Sequence, residues 1–190
     1  PLFQAGPQIL EIMTVEKFDG LVDYAEDLGK AFQIRDDVID ISAGEEGIEI
    51  SQGARDEVIG KDRYSDIREG TLTLPVNYAF ELMGDESWEG MEAEVEQVVS
   101  MDNYLASTED FYQVHGDRRE FLESVMAKED PEDYELQLAG KVIEDTGAIE
   151  KANEDAINYA ESAVENLETS DVEGEYEQLL EQMAYFAATR

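Results

Sequence analysis

From about Val15 to Ser42 the apolar residues Phe18, Leu21, Val22, Ala25, Leu28, Phe32 and Ile39 recur three or four apart, or seven across Phe32 to Ile39. That is the period of one helical face, and the run exceeds the average helix of about 11 to 12 residues. The pattern predicts a long helix that crosses a core. Elsewhere, runs of Val, Ile and aromatic residues bounded by turns are scarce, so strand signals are weak and the expected fold class is all-α.

Ala43-Gly44-Glu45-Glu46-Gly47 ends the long helix, and Ile48 to Gly70, rich in Gly, Asp and Arg, is expected to be a loop. A second helix is expected from Leu74-Pro75 to Met83, because Pro is tolerated in a first turn. Met91 to Met101 and Arg119 to Lys128 read as helical, with a polar turn at Ala106-Ser107-Thr108-Glu109-Asp110 between them. A short helix follows at Leu136 to Asp145, closed by Gly147. Ala152, Ala156, Tyr159, Ala160, Ala163, Val164 and Leu167 then mark one apolar face, and Leu179, Leu180, Met183, Phe186 and Ala187 mark a last one. No repeat and no low-complexity linker divides the chain, so residues 1–190 read as one helical unit.

The chain carries 48 Asp plus Glu against 13 Lys plus Arg, a net charge of -35 over 190 residues. Binding to nucleic acid or to anionic lipid depends on clustered Lys and Arg, so both are excluded as expected partners. The periodic apolar residues separate this chain from disordered acidic ones and point to a folded surface adapted to molar salt. No stretch approaches the roughly 18 apolar residues of a membrane span, and Pro1-Leu2-Phe3-Gln4-Ala5-Gly6-Pro7 lacks the basic start of a signal peptide. A soluble, cytoplasmic protein is expected. With no cysteine, thiolate metal sites and cysteine nucleophiles are excluded, and any metal must be held by oxygen. Position 1 is Pro, within what looks like the middle of a helical pattern, which suggests a portion of a longer chain.

Within Ala31-Phe32-Gln33-Ile34-Arg35-Asp36-Asp37-Val38-Ile39-Asp40-Ile41, residues Gln33, Asp36, Asp37 and Asp40 fall at spacings of three and four and share a helical face. Ile34, Val38 and Ile41 take another. Carboxylates crowded on one stripe repel each other, a penalty a hard divalent cation removes. Magnesium suits the stripe, since it takes oxygen ligands, keeps waters and bridges to substrate phosphates. Such a site would receive a diphosphate. In a chain where about a quarter of the residues are acidic, the same spacing also arises on a solvated face, so the flanking sequence has to decide.

Leu28-Gly29-Lys30-Ala31-Phe32-Gln33-Ile34-Arg35-Asp36-Asp37-Val38-Ile39-Asp40 resembles the second aspartate-rich motif of the trans-isoprenyl diphosphate synthases, including the Phe-Gln before the aspartates. Downstream, Gly60-Lys61-Asp62, Ser65-Asp66-Ile67-Arg68-Glu69-Gly70 and Thr73-Leu74-Pro75 look like that family's lysine-bearing loop and the start of its next helix. Asp145-Thr146-Gly147-Ala148-Ile149-Glu150, the Ala-rich helix after it and Tyr185-Phe186 near Arg190 add weaker agreement. Gly84 to about Leu138 has no counterpart in the pattern.

The resemblance implies a helical bundle of the isoprenoid synthase type, here its C-terminal portion and incomplete at the N-terminus. It implies magnesium held by Asp36, Asp37 and Asp40, with Lys61 on a diphosphate oxygen and Phe32 and Gln33 facing the prenyl substrates. The implied reaction condenses isopentenyl diphosphate with an allylic diphosphate, as in a salt-adapted geranylgeranyl diphosphate synthase acting as a homodimer. Ionising the allylic diphosphate needs charge stabilisation on the leaving group, which metal and lysine supply. Thr71 stands where the family usually has a second Lys, and the first aspartate-rich motif, an Arg pair and a Lys-Thr dipeptide are absent. The chain by itself is therefore expected to be inactive. Two rivals are a non-catalytic subunit that modulates a synthase and a fragment of a class I terpene cyclase. His115, with no neighbour at metal-ligand spacing, is expected in a loop or on the surface, and Trp88 in packing.

Overall fold

The computed structural model describes residues 2–14, 19–42, 63–84, 86–102, 105–170 and 172–190. They form ten helices: α1 (Leu2–Thr14), α2 (Asp19–Ser42), α3 (Ser65–Arg68), α4 (Leu74–Leu82), α5 (Glu92–Met101), α6 (Thr108–His115), α7 (Arg118–Met126), α8 (Asp133–Asp145), α9 (Ala148–Glu168) and α10 (Glu175–Thr189). No strand occurs among the described residues, as the all-α expectation requires. The predicted start of the long helix at Val15, the segment 43–47 expected to end it and most of the predicted loop, 48–62, lie outside the described residues.

Two local expectations are corrected. The end of the predicted loop contains the single turn α3, and the predicted turn at Ala106 to Asp110 is the cap and first turn of α6. The Ser107 hydroxyl accepts a hydrogen bond from the Asp110 amide at 3.2 Å. Ser, Thr and Asp favour turns and helix N-termini alike, because their side chains satisfy free backbone amides in both. The next helix, α7, starts on a reciprocal cap in which Asp117 accepts from the Glu120 amide at 2.9 Å.

The described residues divide into two compact units. The first joins the chain up to Ile39 with Ala152–Arg190. Here α2 and α9 run antiparallel: Gly20 abuts Asn166 and Thr169, Asp27 accepts from Ser162 (2.7 Å) and Asn166 (3.0 Å), and Arg35 donates to Asn153 (2.8 Å). Small residues permit this close approach. On α9 the buried stripe is Ala152, Ala156, Ala160, Ala163 and Leu167, all on the predicted face, whose other members Tyr159 and Val164 are half-buried. A Cβ on Gly20 would lie 2.6 Å from the Thr169 hydroxyl and 2.7 Å from the Asn166 carbonyl oxygen.

On α2 the deepest face is Tyr24, Leu28, Ala31, Ile34, Val38 and Ile41, whereas Leu21, Phe32 and Ile39 are half-buried. Both faces are apolar, so periodicity alone could not rank them. The helix α10 lies parallel to α2. Tyr24 donates from its phenol to the Leu180 carbonyl at 2.8 Å, and Arg35 donates to the Arg190 carbonyl at 2.8 Å. Burial pushes the Tyr24 phenol up to about 12. The predicted apolar face of α10 is corrected: Ala184, Ala187 and Ala188 are buried, whereas Leu179, Met183 and Phe186 are 54%, 45% and 62% exposed. Alanines bring this helix close to its neighbours, while the bulky residues stay partly exposed.

The second unit holds the described residues between Asp40 and Lys151. Its axis is α8, which buries Leu136, Leu138, Ala139, Val142 and Ile143 and packs against α3, α4, α5 and α7. Gly140 admits the Tyr64 ring, whose Cε1 would stand 2.5 Å from a Cβ there. Trp88 is packing, as expected: its ring meets Phe111 and Phe121 edge-on at 5.1 and 5.4 Å, and Nε1 donates to the Gly116 carbonyl at 2.9 Å. His115 is neither in a loop nor fully exposed. It ends α6, half-buried between Phe111 (4.7 Å) and Phe121 (5.4 Å), and burial lowers its pKa. Two ion pairs, Arg118 with Asp145 and Lys128 with Glu135, each place one nearly buried partner in this unit.

Candidate functional site

The aspartate stripe lies on α2, the helix most clearly marked by the apolar period of the sequence. Asp36 and Asp37 are half-exposed, and Gln33 is exposed. Gln33 Nε2 donates to Asp37 Oδ1 at 2.9 Å, an i,i+4 bond along the helix. Asp36 Oδ1 accepts from Arg190 Nη2 at 2.9 Å. The same guanidinium lies over the Phe32 ring, 3.7 Å from its centroid, and Phe32 is one turn before Asp36. Helical geometry thus aligns ring, carboxylate and cation.

Asp40 has a different set of partners. One oxygen accepts from the Ser65 hydroxyl at 2.8 Å and the Ser65 amide at 3.2 Å, and the other from the Asp66 amide at 3.1 Å. These bonds satisfy the first free amides of α3, whose preceding residue, Tyr64, has a left-handed backbone with φ 60. A non-glycine residue in that region is strained, and the Asp40 contacts help to hold it. Reaching a metal would require Asp40 to exchange bonds to two amides.

Among the described residues, no group of three or more His, Asp or Glu side chains is gathered closely enough to hold a metal. The donor set of Asp36 and Asp37 nevertheless suits magnesium, which is commonly bound through one or two carboxylates with water and substrate oxygens completing the octahedron. Lys61 lies outside the described residues. No helix among them is long and apolar enough to cross a membrane.

Phe32 leads to an apolar space. Its ring packs on Phe3 of α1 at 5.5 Å, and Phe3 lines an open cleft of about 840 Å³ with Leu21, Ala25 and Leu28 of α2 and Leu180 and Met183 of α10. From Asp36, the α2 residues on this wall lie about 12 to 22 Å along the helix axis, at 1.5 Å per residue. Neither Phe3 nor Arg190 was singled out as a site residue by the sequence. Arg190 is 154 positions from Asp36, so no spacing rule connects them.

Residues 2–104 match the profile of the polyprenyl synthetase family. The geranylfarnesyl diphosphate synthase of Natronomonas pharaonis is 30% identical over 184 residues, covering 97% of this chain and 40% of that protein. A prenyl transferase of Cyanophora paradoxa is 29% identical over 148 residues, 78% of this chain and 31% of its own length. The chain thus spans well under half the length of these relatives. Among solved structures, the polyprenyl synthase of Caulobacter crescentus CB15, complexed with calcium and isoprenyl diphosphate, superimposes with a TM-score of 0.59 at 26% identity, over 90% of this chain and 39% of that one. The decaprenyl diphosphate synthase of Rhodobacter capsulatus shares the fold, with a TM-score of 0.61 at 23% identity over 98% of this chain and 44% of that one. With more than half of its residues inside the family profile and a helical fold shared with solved members, the chain belongs to the polyprenyl synthetase family.

Proposed function

We propose that this chain supplies the second aspartate-rich half of a trans-prenyltransferase site that condenses isopentenyl diphosphate with an allylic diphosphate. The observation that carries the proposal is the arrangement along α2, where Asp36 and Asp37 stand at one end of a path that continues through Phe32 and Phe3 to an open apolar cleft. A substrate with a diphosphate head and a hydrocarbon tail has those two needs. The Caulobacter relative with calcium and isoprenyl diphosphate supports the same substrate chemistry.

In this proposal Asp36 and Asp37 hold magnesium, and Asp40 joins them if its bonds to α3 open. Magnesium would draw off the negative charge that develops on the leaving diphosphate. Lys61 neutralises a diphosphate oxygen, Gln33 orients Asp37, and Phe32 borders the tail. As the allylic C–O bond breaks, the alkene of isopentenyl diphosphate attacks the carbocation, a proton is lost and diphosphate leaves. A geranylgeranyl-length product, a homodimer, a cytoplasmic location and a salt-adapted surface belong to the same proposal.

The test is a full-length synthase carrying these residues, assayed for incorporation of labelled isopentenyl diphosphate. Asp36→Ala should lower turnover at least about a hundredfold, since losing one transition-state contact commonly costs about 2.7 to 4 kcal/mol, with the helical spectrum retained. Near-normal turnover would refute the assignment. Chromatography of the product would refute the chain-length proposal if a longer prenyl diphosphate dominated.

A further inference from the structure

In a chain with 48 acidic and 13 basic residues, where a cation is spent carries information. Arg190 is held by three residues of one α2 segment. Its backbone carbonyl accepts from Arg35 Nε at 2.8 Å, its guanidinium lies 3.7 Å over Phe32, and Nη2 meets Asp36 Oδ1 at 2.9 Å. Arg35 is itself buried and is fixed by Asn153 at 2.8 Å, so the anchor that places Arg190 is rigid. Arg35 and Arg190 thus stand close enough for their charges to repel each other, and of the two it is Arg190 that meets the Asp36 carboxylate.

The donors of Arg190 are not exhausted. Its Nε is buried and has no hydrogen-bond partner. A guanidinium offers planar, paired N–H groups that match a phosphate oxygen edge better than an ammonium does.

We infer that Arg190 is an exchangeable counter-ion at the candidate site: it competes with a divalent cation for Asp36, and when the cation arrives with a diphosphate, Arg190 moves to a diphosphate oxygen. This rests on the proposed role of Asp36 as a metal ligand. A dication on Asp36 repels Arg190 at the distance of their present contact, and the diphosphate provides the negative charge that receives it. The Phe32 ring is the platform on which the guanidinium can turn without losing its cation–π contact.

The experiment is calorimetry on the full chain in molar sodium chloride, with magnesium alone and then with magnesium plus inorganic pyrophosphate. Partly exposed ion pairs contribute about 0.2 to 1 kcal/mol, so Arg190→Gln should bind magnesium about 1.4- to fivefold more tightly than wild type. The same variant should bind magnesium pyrophosphate more weakly than wild type. Arg190→Lys, which keeps charge but loses the planar fork, should fall between them in both titrations. Amide exchange at Ala187 to Arg190 should quicken on adding magnesium, and should not respond in Asp36→Asn. Unchanged or weaker magnesium binding by Arg190→Gln, or pyrophosphate binding as tight as wild type, overturns the inference. Asp36→Asn binding magnesium as wild type does would instead overturn the metal-ligand role on which it rests.

Discussion

Replacing Asp40 by Ala should destabilise the protein even with no metal or substrate added. The side chain holds the start of α3 through the Ser65 amide (3.2 Å), the Ser65 hydroxyl (2.8 Å) and the Asp66 amide (3.1 Å). The backbone bond from the Tyr64 amide to the Asp40 carbonyl, at 3.1 Å, would survive. Losing a side-chain cap typically costs about 0.5 to 2 kcal/mol. A carboxylate that accepts two amides and a hydroxyl belongs in the upper half of that range, and the groups are partly buried, so salt screens them incompletely. Countering this, Asp36 and Asp40 are like charges at i,i+4, and removing one relieves a few tenths of a kcal/mol. The net expectation is a loss of about 1 to 1.5 kcal/mol. For a chain of this length each kcal/mol shifts the melting midpoint by about 2 to 4 °C. Asp40→Ala should therefore melt about 2 to 6 °C below wild type, followed by far-ultraviolet circular dichroism in molar sodium chloride. Asp40→Asn retains one acceptor oxygen and should lose about half as much. If Asp40→Ala melted at or above the wild-type midpoint, relief of repulsion would outweigh the capping bonds and the account of α3 would be wrong.

Salt should be required for folding, because the charge of -35 is self-repelling and the Debye length falls to about 3 Å only near 1 M; a helical spectrum unchanged after removing salt would contradict this. Gly20→Ala should destabilise by about 1 to 3 kcal/mol despite alanine's better helix propensity, since its methyl would meet a backbone carbonyl of α9; urea titration with an unchanged midpoint would contradict the close α2–α9 packing. His115 should make stability fall with acid. Its folded pKa is lowered by burial against Phe111 and Phe121, outweighing the pull of Glu135 and Asp102, so the unfolded chain takes up the proton first. The contribution is complete above the unfolded value near 6.5 and is lost as pH falls below it toward the folded one. His115→Phe should flatten the stability profile just below pH 6.5, and an unaltered profile would count against the burial argument.

What the sequence determined by itself was local. The long helix, the aspartates along it, the start of α4 at Leu74-Pro75 and the alanine face of α9 were all legible, because helical period, caps and proline act within a few residues. The resemblance carried by Phe32-Gln33 and Asp36-Asp37 indicated the family from contiguous residues alone. The α6 cap was missed for a local reason, since Ser107 and Asp110 look the same in a turn as at a helix start.

Only the tertiary structure decided which of two apolar faces of α2 lies deepest, and that α10 buries its alanines while leaving Leu179, Met183 and Phe186 outside. Hydrophobicity ranks residues by their own transfer cost, whereas burial depends on how closely a neighbouring helix can approach, and small residues permit the closest approach. The same limit applies to the site. That Asp40 caps α3 while Asp36 pairs with Arg190 follows from partners 25 and 154 positions away. Each contact exists because stretches distant in the chain are folded against α2, and no interval along the chain encodes them.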